Sequence, residues 1–180
     1  MSYNKVMTGD QKAKWIKHIN SKCWWHVTPD AAPACYEERG RFYEATFHDS
    51  EFYGRPNDIP DRVTVSNPLI GDDDETHMIL FGQGPTEAKD YQDLCRREAL
   101  RKQRAIAMGF DSIVVPYHAS LQRFLETGRF PRKIEFCLLD LSLSRKAHPR
   151  DFMVGWRRDL ERVDSFYTAQ GVALSQILAA

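Results

Sequence analysis

A single glutamate opens an otherwise apolar segment late in the chain. Glu135 is followed by the residues FCLL, and burying an unpaired carboxylate in such surroundings is costly. The pattern has three interpretations. Glu135 forms a salt bridge with Arg132 or Lys133, or it lies at a strand end that solvent still reaches. In the third interpretation it lies at the edge of a cleft, where a carboxylate on a rigid strand would stabilise a positive charge that develops during a reaction.

A second group of candidate residues lies in the aromatic segment WWHVT, residues 24–28. Side chains alternate along a strand, so His26 and Thr28 are expected to share one face. Together with the neighbouring tryptophans they combine hydrogen-bonding groups with aromatic surface, which suits the binding of a sugar. The alternative is that His26 is a buried, hydrogen-bonded core residue.

The sequence offers no metal site and none of the common nucleotide motifs. Its four cysteines form no CxxC pair, and no two of its six histidines are three or four residues apart, which argues against zinc. GxGxxG, GxxxxGK[ST], GxSxG and HExxH are all missing. The Rossmann, P-loop, α/β-hydrolase and zincin classes are therefore disfavoured, and we expect reduced thiols and no metal.

Length and charge limit the class of protein further. The 180 residues suffice for one domain, no apolar run could cross a membrane, and the first residues do not resemble a secretory signal, so we expect a cytoplasmic protein. The 25 basic and 25 acidic side chains balance overall but not locally. Residues 37–93 carry 14 acidic against five basic side chains, whereas residues 95–133 carry nine basic against three acidic ones. The basic region offers a seat for phosphates, unless the two regions neutralise each other.

The hydrophobic periodicity predicts an α+β fold without evident βαβ units. A capping box at Thr8–Gln11 predicts a first helix, and the longest predicted helix spans Thr86–Met108. Strands are predicted over residues 23–28, 42–47, 62–66, 78–81, 112–115 and 134–141, with a short helix over 121–125 and a C-terminal helix after Pro149. Residues 48–61 and the acidic run 71–75 are predicted as loops.

Four of these segments together resemble the ADP-ribosyltransferase family. They are HVT at residues 26–28, VSNPL at 65–69, GFDSIV at 109–114 and KIE at 133–135. Their order and spacing fit the family over residues 23–141, and the combination, rather than any single short segment, carries the resemblance. It implies a split β-sandwich core with flanking helices and a C-terminal helix, in which residues 1–141 form the ADP-ribosyltransferase-like domain and residues 142–180 a helical extension of it.

The resemblance also implies an activity and a role for each candidate residue. NAD would bind in a cleft between two small sheets, with no metal, and its ADP-ribose would pass from nicotinamide to an acceptor. His26, assisted by Thr28, would hold the ribose hydroxyls and the carboxamide region, and Tyr43 or Tyr53 would stack on nicotinamide. Glu135 would bond the ribose 2′-hydroxyl and stabilise the oxocarbenium-like transition state. The cationic nicotinamide group and the ribosyl cation are both stabilised by a flat π face and a nearby negative charge, so these roles agree with the chemistry.

The acceptor is less sharply indicated. Arginine-modifying members of the family carry Glu or Gln two residues before the catalytic glutamate, whereas this chain has Lys133, so arginine is disfavoured. The basic connection before Glu135 would meet the acceptor or neutralise the NAD phosphates. The neutral overall charge favours a protein over a nucleic acid acceptor.

The sequence thus predicts a cytoplasmic, toxin-like mono-ADP-ribosyltransferase that acts on a macromolecule. Hydrolysis of NAD by water is the first alternative. A catalytically silent binding module, which recruits a partner through its C-terminal helix, is the second.

Overall fold

A computed structural model describes residues 7–26, 38–45, 57, 59–153 and 157–179. Seven strands occur among these residues: β1 (Cys23–His26), β2 (Arg41–Glu44), β3 (Asp61–Val63), β4 (Pro68–Ile70), β5 (Ser112–Pro116), β6 (Ile134–Leu138) and β7 (Ser144–Lys146). The helices of the same residues are α1 (Gly9–Ser21), α2 (Asp73–Phe81), α3 (Tyr91–Ala107), α4 (His118–Thr127), α5 (Pro149–Phe152), α6 (Arg157–Thr168) and α7 (Leu174–Ala179). The mixed content confirms the α+β class.

The strands form one sheet in the order β4-β5-β6-β2-β1-β3-β7. β4 and β5 are parallel, and the other neighbours are antiparallel. β1 joins the two halves of the sheet, because Cys23 and Trp24 pair with β3 whereas Trp25 and His26 pair with β2. β7 lies within the predicted C-terminal extension and adds a strand to the β3 edge.

Helices cover both faces of the sheet, so β6 is apolar on both sides over most of its length. On the first face, Phe136 packs in a cluster with Trp15 of α1 and Phe124 of α4. On the second face, Cys137 packs with Leu80 of α2 and Ala105 of α3. The alternation of side chains along β6 places Glu135 on the second face, beside α2 and α3.

The segment between β4 and β5 differs most from the prediction. Met78–Phe81 was predicted to be a strand, which is wrong, because these residues end helix α2. Asp72, expected in a solvated loop, is the N-cap of that helix and forms a capping box with Glu75, so the acidic run stabilises a helix start. Together with α3, this helix forms the crossover connection that makes β4 and β5 parallel. The periodicity of the sequence did not predict this βαβ-type unit.

Most other elements are confirmed with shifted ends. Thr8 caps α1 through the expected capping box, and β5 and β6 occupy the predicted segments. The long helix begins at Tyr91 rather than Thr86, because the Asp90 side chain caps it there. The predicted loop 48–61 lies largely outside the described residues. No helix in the described part of the chain has the length and apolarity needed to span a membrane.

Candidate active site

A cleft of about 980 Å³ opens beside the second face of the sheet. α2 and α3 form its walls, and residues of β2, β5 and β6 reach its floor. Its volume is at the upper end of the range of about 300–1,000 Å³ that ligand pockets occupy. The ionisable side chains that line it are Glu44, Asp72, Asp73, Asp74, His77, Arg97, Glu98, Arg101, Tyr117, His118, Lys133 and Glu135. Six carboxylates thus face three permanent cations.

Glu135 lies on the floor of this cleft. It pairs in register with Val115 of β5, and its side chain is exposed and lines the cleft. Burial is the main cause that raises the pKa of the Glu135 carboxyl, and Arg101 opposes the shift. Among the described residues no hydrogen bond or ion pair to this carboxyl is formed. The predicted salt bridge to Arg132 or Lys133 is not observed.

Two charged residues of α3, Arg101 and Glu98, line the cleft with Glu135 and act on its carboxyl group electrostatically. The Arg101 guanidinium donates to the Thr76 hydroxyl at 2.8 Å and lies 3.6 Å from the Asp73 carboxylate. Glu98 forms an ion pair with Arg39. Burial raises the pKa of Glu98 against the opposing charge of Arg39. The cleft therefore holds two carboxyl groups of raised pKa around one arginine.

A carboxylate and an imidazole meet at one rim of the cleft. Asp72 Oδ2 accepts a hydrogen bond from His118 Nδ1, and Asp72 Oδ1 accepts from the Glu75 amide at 2.8 Å. Asp72 is buried, with 8% of its surface exposed, whereas His118 is about half exposed. The fixed carboxylate therefore orients a solvent-accessible imidazole.

The remaining lining offers an aromatic ring and further cations. Tyr117, directly before α4, is 70% exposed. Arg97 lies one helical turn before Arg101 and is held by Asp93 at 2.8 Å and by the Thr86 carbonyl at 2.8 Å. Lys133 also lines the cleft. These groups could contact a ring and phosphates of one ligand.

His26 and Tyr43 lie on the opposite face of the sheet from Glu135. His26 pairs in register with Tyr43, and Tyr43 pairs with Phe136. The three rings lie on the first face. The ring centroids of His26 and Tyr43 are 5.6 Å apart, and those of Tyr43 and Phe136 are 5.7 Å apart. Since Glu135 precedes Phe136 on β6, its side chain points the other way. The structure thus brings His26 and Tyr43 together but does not bring them to Glu135.

The surroundings of His26 and Tyr43 are those of a buried polar network. The Tyr43 hydroxyl donates to Asp61 at 2.8 Å, and the Lys146 ammonium lies 2.8 Å from the same carboxylate. His26 Nδ1 lies 2.8 Å from the Phe42 carbonyl, to which a ring N–H can donate. Burial lowers the pKa of His26 and raises that of Tyr43. The core interpretation of His26 matches this environment.

Thr28 and Tyr53 lie outside the described residues, so their predicted roles stay predictions. In the part of the chain that the structure describes, no three His, Cys, Asp or Glu side chains are grouped to hold a metal ion. Sequence reasoning did not assign Arg101 or the Asp72–His118 pair to the site. The available signal was the capping box beginning at Asp72, which would have predicted a helix and hence a parallel β4–β5 pair.

Comparison of the chain with protein-family models, with curated proteins and with solved structures gives no match. Function is therefore inferred from the cleft itself.

Proposed function

We propose that the chain is an enzyme that cleaves the nicotinamide–ribose bond of NAD in this cleft and transfers ADP-ribose to a macromolecular acceptor, with Glu135 as the catalytic carboxylate. The single observation that carries the proposal is the position of that carboxyl. It lies on a rigid central strand, faces a ligand-sized cleft, and has no hydrogen bond or ion pair among the described residues. A carboxyl group of raised pKa that faces a cleft is typical of a functional site.

The acidic lining suits the charge changes of this reaction. Departure of nicotinamide leaves positive charge on the ribose, and carboxylates fixed in a partly desolvated cleft stabilise such charge more strongly than water does. Burial raises the pKa of Glu135, and the positive charge of Arg101 opposes this shift. A bound nicotinamide-ribosyl group is itself cationic, so its arrival favours the ionised carboxylate that the transition state needs.

The rest of NAD has partners of matching chemistry in the cleft. Arg97, Arg101 and Lys133 supply positive charge for the diphosphate, and the exposed Tyr117 ring can stack on nicotinamide. This proposal assigns NAD to residues around Glu135 and not to His26 and Tyr43, which lie on the other face. It keeps the chemistry that the resemblance implies and changes the binding residues.

Release of nicotinamide from NAD, followed with and without a cell lysate, tests the proposal. We expect Glu135→Gln to lower the rate at least about 100-fold, because the amide keeps the shape of the side chain and removes its charge. Glu126→Gln, on the exposed side of α4, is the matched control and should behave as wild type. Unchanged turnover by Glu135→Gln would remove Glu135 from the mechanism.

Hydrolysis of NAD is a second candidate function, favoured by the openness of Glu135 to the cleft, since water reaches the reacting carbon as readily as a macromolecule does. Radiolabel from NAD distinguishes the two functions. Label on a lysate protein identifies transfer, whereas nicotinamide release without labelled protein identifies hydrolysis. Wild-type protein that neither releases heat with NAD in calorimetry nor gains thermal stability from it would contradict both functions and favour a silent module.

A further inference from the structure

Two residues at the carboxyl ends of the parallel strands face each other across the rim of the cleft. β4 ends at Ile70 and β5 at Pro116, and Ile70 pairs in register with Val114. Asp72 follows the first strand by two residues and His118 follows the second by two. Since parallel strands end at the same edge of a sheet, the two side chains meet there, and such an edge is a common place for ligands.

The geometry gives this pair a defined protonation pattern. Both Asp72 oxygens have a partner among the described residues, with Oδ1 accepting from the Glu75 amide and Oδ2 from His118 Nδ1. A carboxylate only accepts hydrogen bonds, so His118 Nδ1 donates to it, and the tautomer that does so has Nε2 as its basic nitrogen. The capping box holds Asp72 in place, so the imidazole is oriented before a ligand arrives.

His118 and Glu135 line the same cleft and lie close along the sheet. Glu135 pairs with Val115, and His118 is three residues after Val115. Three residues of extended chain span at most about 10 Å. The imidazole therefore stands at the rim above the floor that carries the catalytic carboxyl. This is where an acceptor approaching from solvent would pass.

We propose that His118 is the general base that deprotonates the acceptor, and that Asp72 is its positioning residue. This inference rests on the proposed function and deepens it. An imidazole held by a carboxylate matches an acceptor that must lose a proton on attack, such as a hydroxyl group or water.

The proposed step balances as follows. The acceptor oxygen forms a bond to ribose C1′ while the bond from C1′ to the nicotinamide nitrogen breaks, and that electron pair neutralises the ring nitrogen. The acceptor proton passes to His118 Nε2. The resulting imidazolium lies against the Asp72 carboxylate and later returns the proton to solvent. Glu135 stabilises the ribosyl cation and takes no proton.

The other histidine of the cleft provides a matched control. His77 lies within α2, where its Nδ1 is 3.0 Å from the Asp73 carbonyl and 3.3 Å from the Asp73 carboxylate. That carboxylate is about half exposed and also lies near Arg101. His77 therefore shares the cleft and an aspartate neighbour with His118 but lacks a buried, doubly anchored carboxylate.

The experiment compares wild type with His118→Gln, Asp72→Asn, His77→Gln and Glu135→Gln, using NAD with water as acceptor and then with added sodium azide. Azide attacks carbon without losing a proton, so it needs no base. We expect His118→Gln to lower kcat for nicotinamide release about 100-fold or more, with little change in KM for NAD, and azide to restore the rate with formation of azido-ADP-ribose. Asp72→Asn keeps an oxygen for the helix cap and should show a smaller loss, likewise restored by azide. His77→Gln tests the same cleft without the anchored carboxylate, so any loss of rate in this variant should not be restored by azide.

Two results would overturn the inference in different ways. If wild type releases nicotinamide with dependence on Glu135, but His118→Gln keeps the wild-type kcat or is not rescued by azide, the base assignment fails and the proposed function stands. If wild type releases no nicotinamide with water, with azide or with a cell lysate, or if Glu135→Gln is as active as wild type, the proposed function fails and the base assignment fails with it. Circular dichroism and urea midpoints that match wild type exclude misfolding as the cause of a lost rate.

Discussion

Gly40 is the position where the structure makes its sharpest prediction about stability. This glycine precedes β2 and has a φ of 90°. A Cβ at this position would lie 2.8 Å from Cys137 Sγ and 2.9 Å from the Leu138 carbonyl oxygen. Both contacts are with β6, so Gly40 permits the close approach of the chain to the strand that carries Glu135.

The magnitude for Gly40→Ala is the sum of two costs. A left-handed backbone costs a residue with a Cβ about 1–2 kcal/mol, and forcing an extra methyl group into a packed region costs typically about 1–3 kcal/mol. The expected loss in the free energy of unfolding is therefore about 2–5 kcal/mol. The backbone oxygen cannot rotate away, so relaxation must move β6 itself.

Gly82→Ala is the matched control for this prediction. Gly82 has a φ of 70°, but its added Cβ would meet nothing within 4 Å, so only the backbone cost applies. Both substitutions restrict the unfolded chain equally, and the difference between them isolates the packing cost at about 1–3 kcal/mol. Urea unfolding of the three proteins measures it. Equal losses in the two variants would refute the close approach of Gly40 to β6.

Two further predictions concern the first face of the sheet. Tyr43→Phe should lower the free energy of unfolding by about 1–2 kcal/mol, because Asp61 loses a buried hydrogen bond, with nicotinamide release retained; a lost NAD affinity without lost stability would instead restore Tyr43 to the binding site. Burial, and secondarily Lys22, lower the pKa of His18 from 6.5 to about 4. The unfolded chain therefore binds this proton more tightly, so stability is fully present above pH 6.5 and falls as the pH drops towards 4. Solvent screening of the half-buried ring limits the effect to about 1–2 kcal/mol. The urea midpoints of wild type and His18→Gln at pH 7 and pH 5 test this account. It would be contradicted if the midpoint of His18→Gln fell as steeply as that of wild type.

The sequence predicted those elements whose signals are local. The capping box at Thr8 and the apolar run of β6 depend only on neighbouring residues, and both elements are present. β4 has only three residues and begins with Pro68, a residue that strands accept at their first position or at a sheet edge. No strand was predicted at this position. Met78–Phe81 is too short an apolar run to distinguish helix from strand by periodicity.

One predicted residue of the candidate site lines the cleft, and others lie elsewhere, because the face on which a strand residue lies depends on the register of the sheet. Glu135 was singled out by its apolar surroundings, and the structure places it in the cleft. Whether His26 shares that cleft depends on how β1 pairs with β2 and how β2 pairs with β6. A shift of one residue in either pairing would move the His26 side chain to the other face relative to Glu135. Single-sequence patterns carry no such information. Asp72 and His118 are 46 residues apart, so only the parallel pairing of β4 with β5 brings them together.

The arrangement of the central strands has a consequence for biosynthesis. β6 lies between β5 and β2, although β2 is completed at Glu44 and β6 only at Leu138. A nascent polypeptide that has emerged only as far as α4 therefore exposes the edges of β2 and β5 where β6 will insert, and such edges invite pairing with other chains. During translation, this protein should depend on chaperones until residue 138 has left the ribosome, and chains truncated before β6 should aggregate.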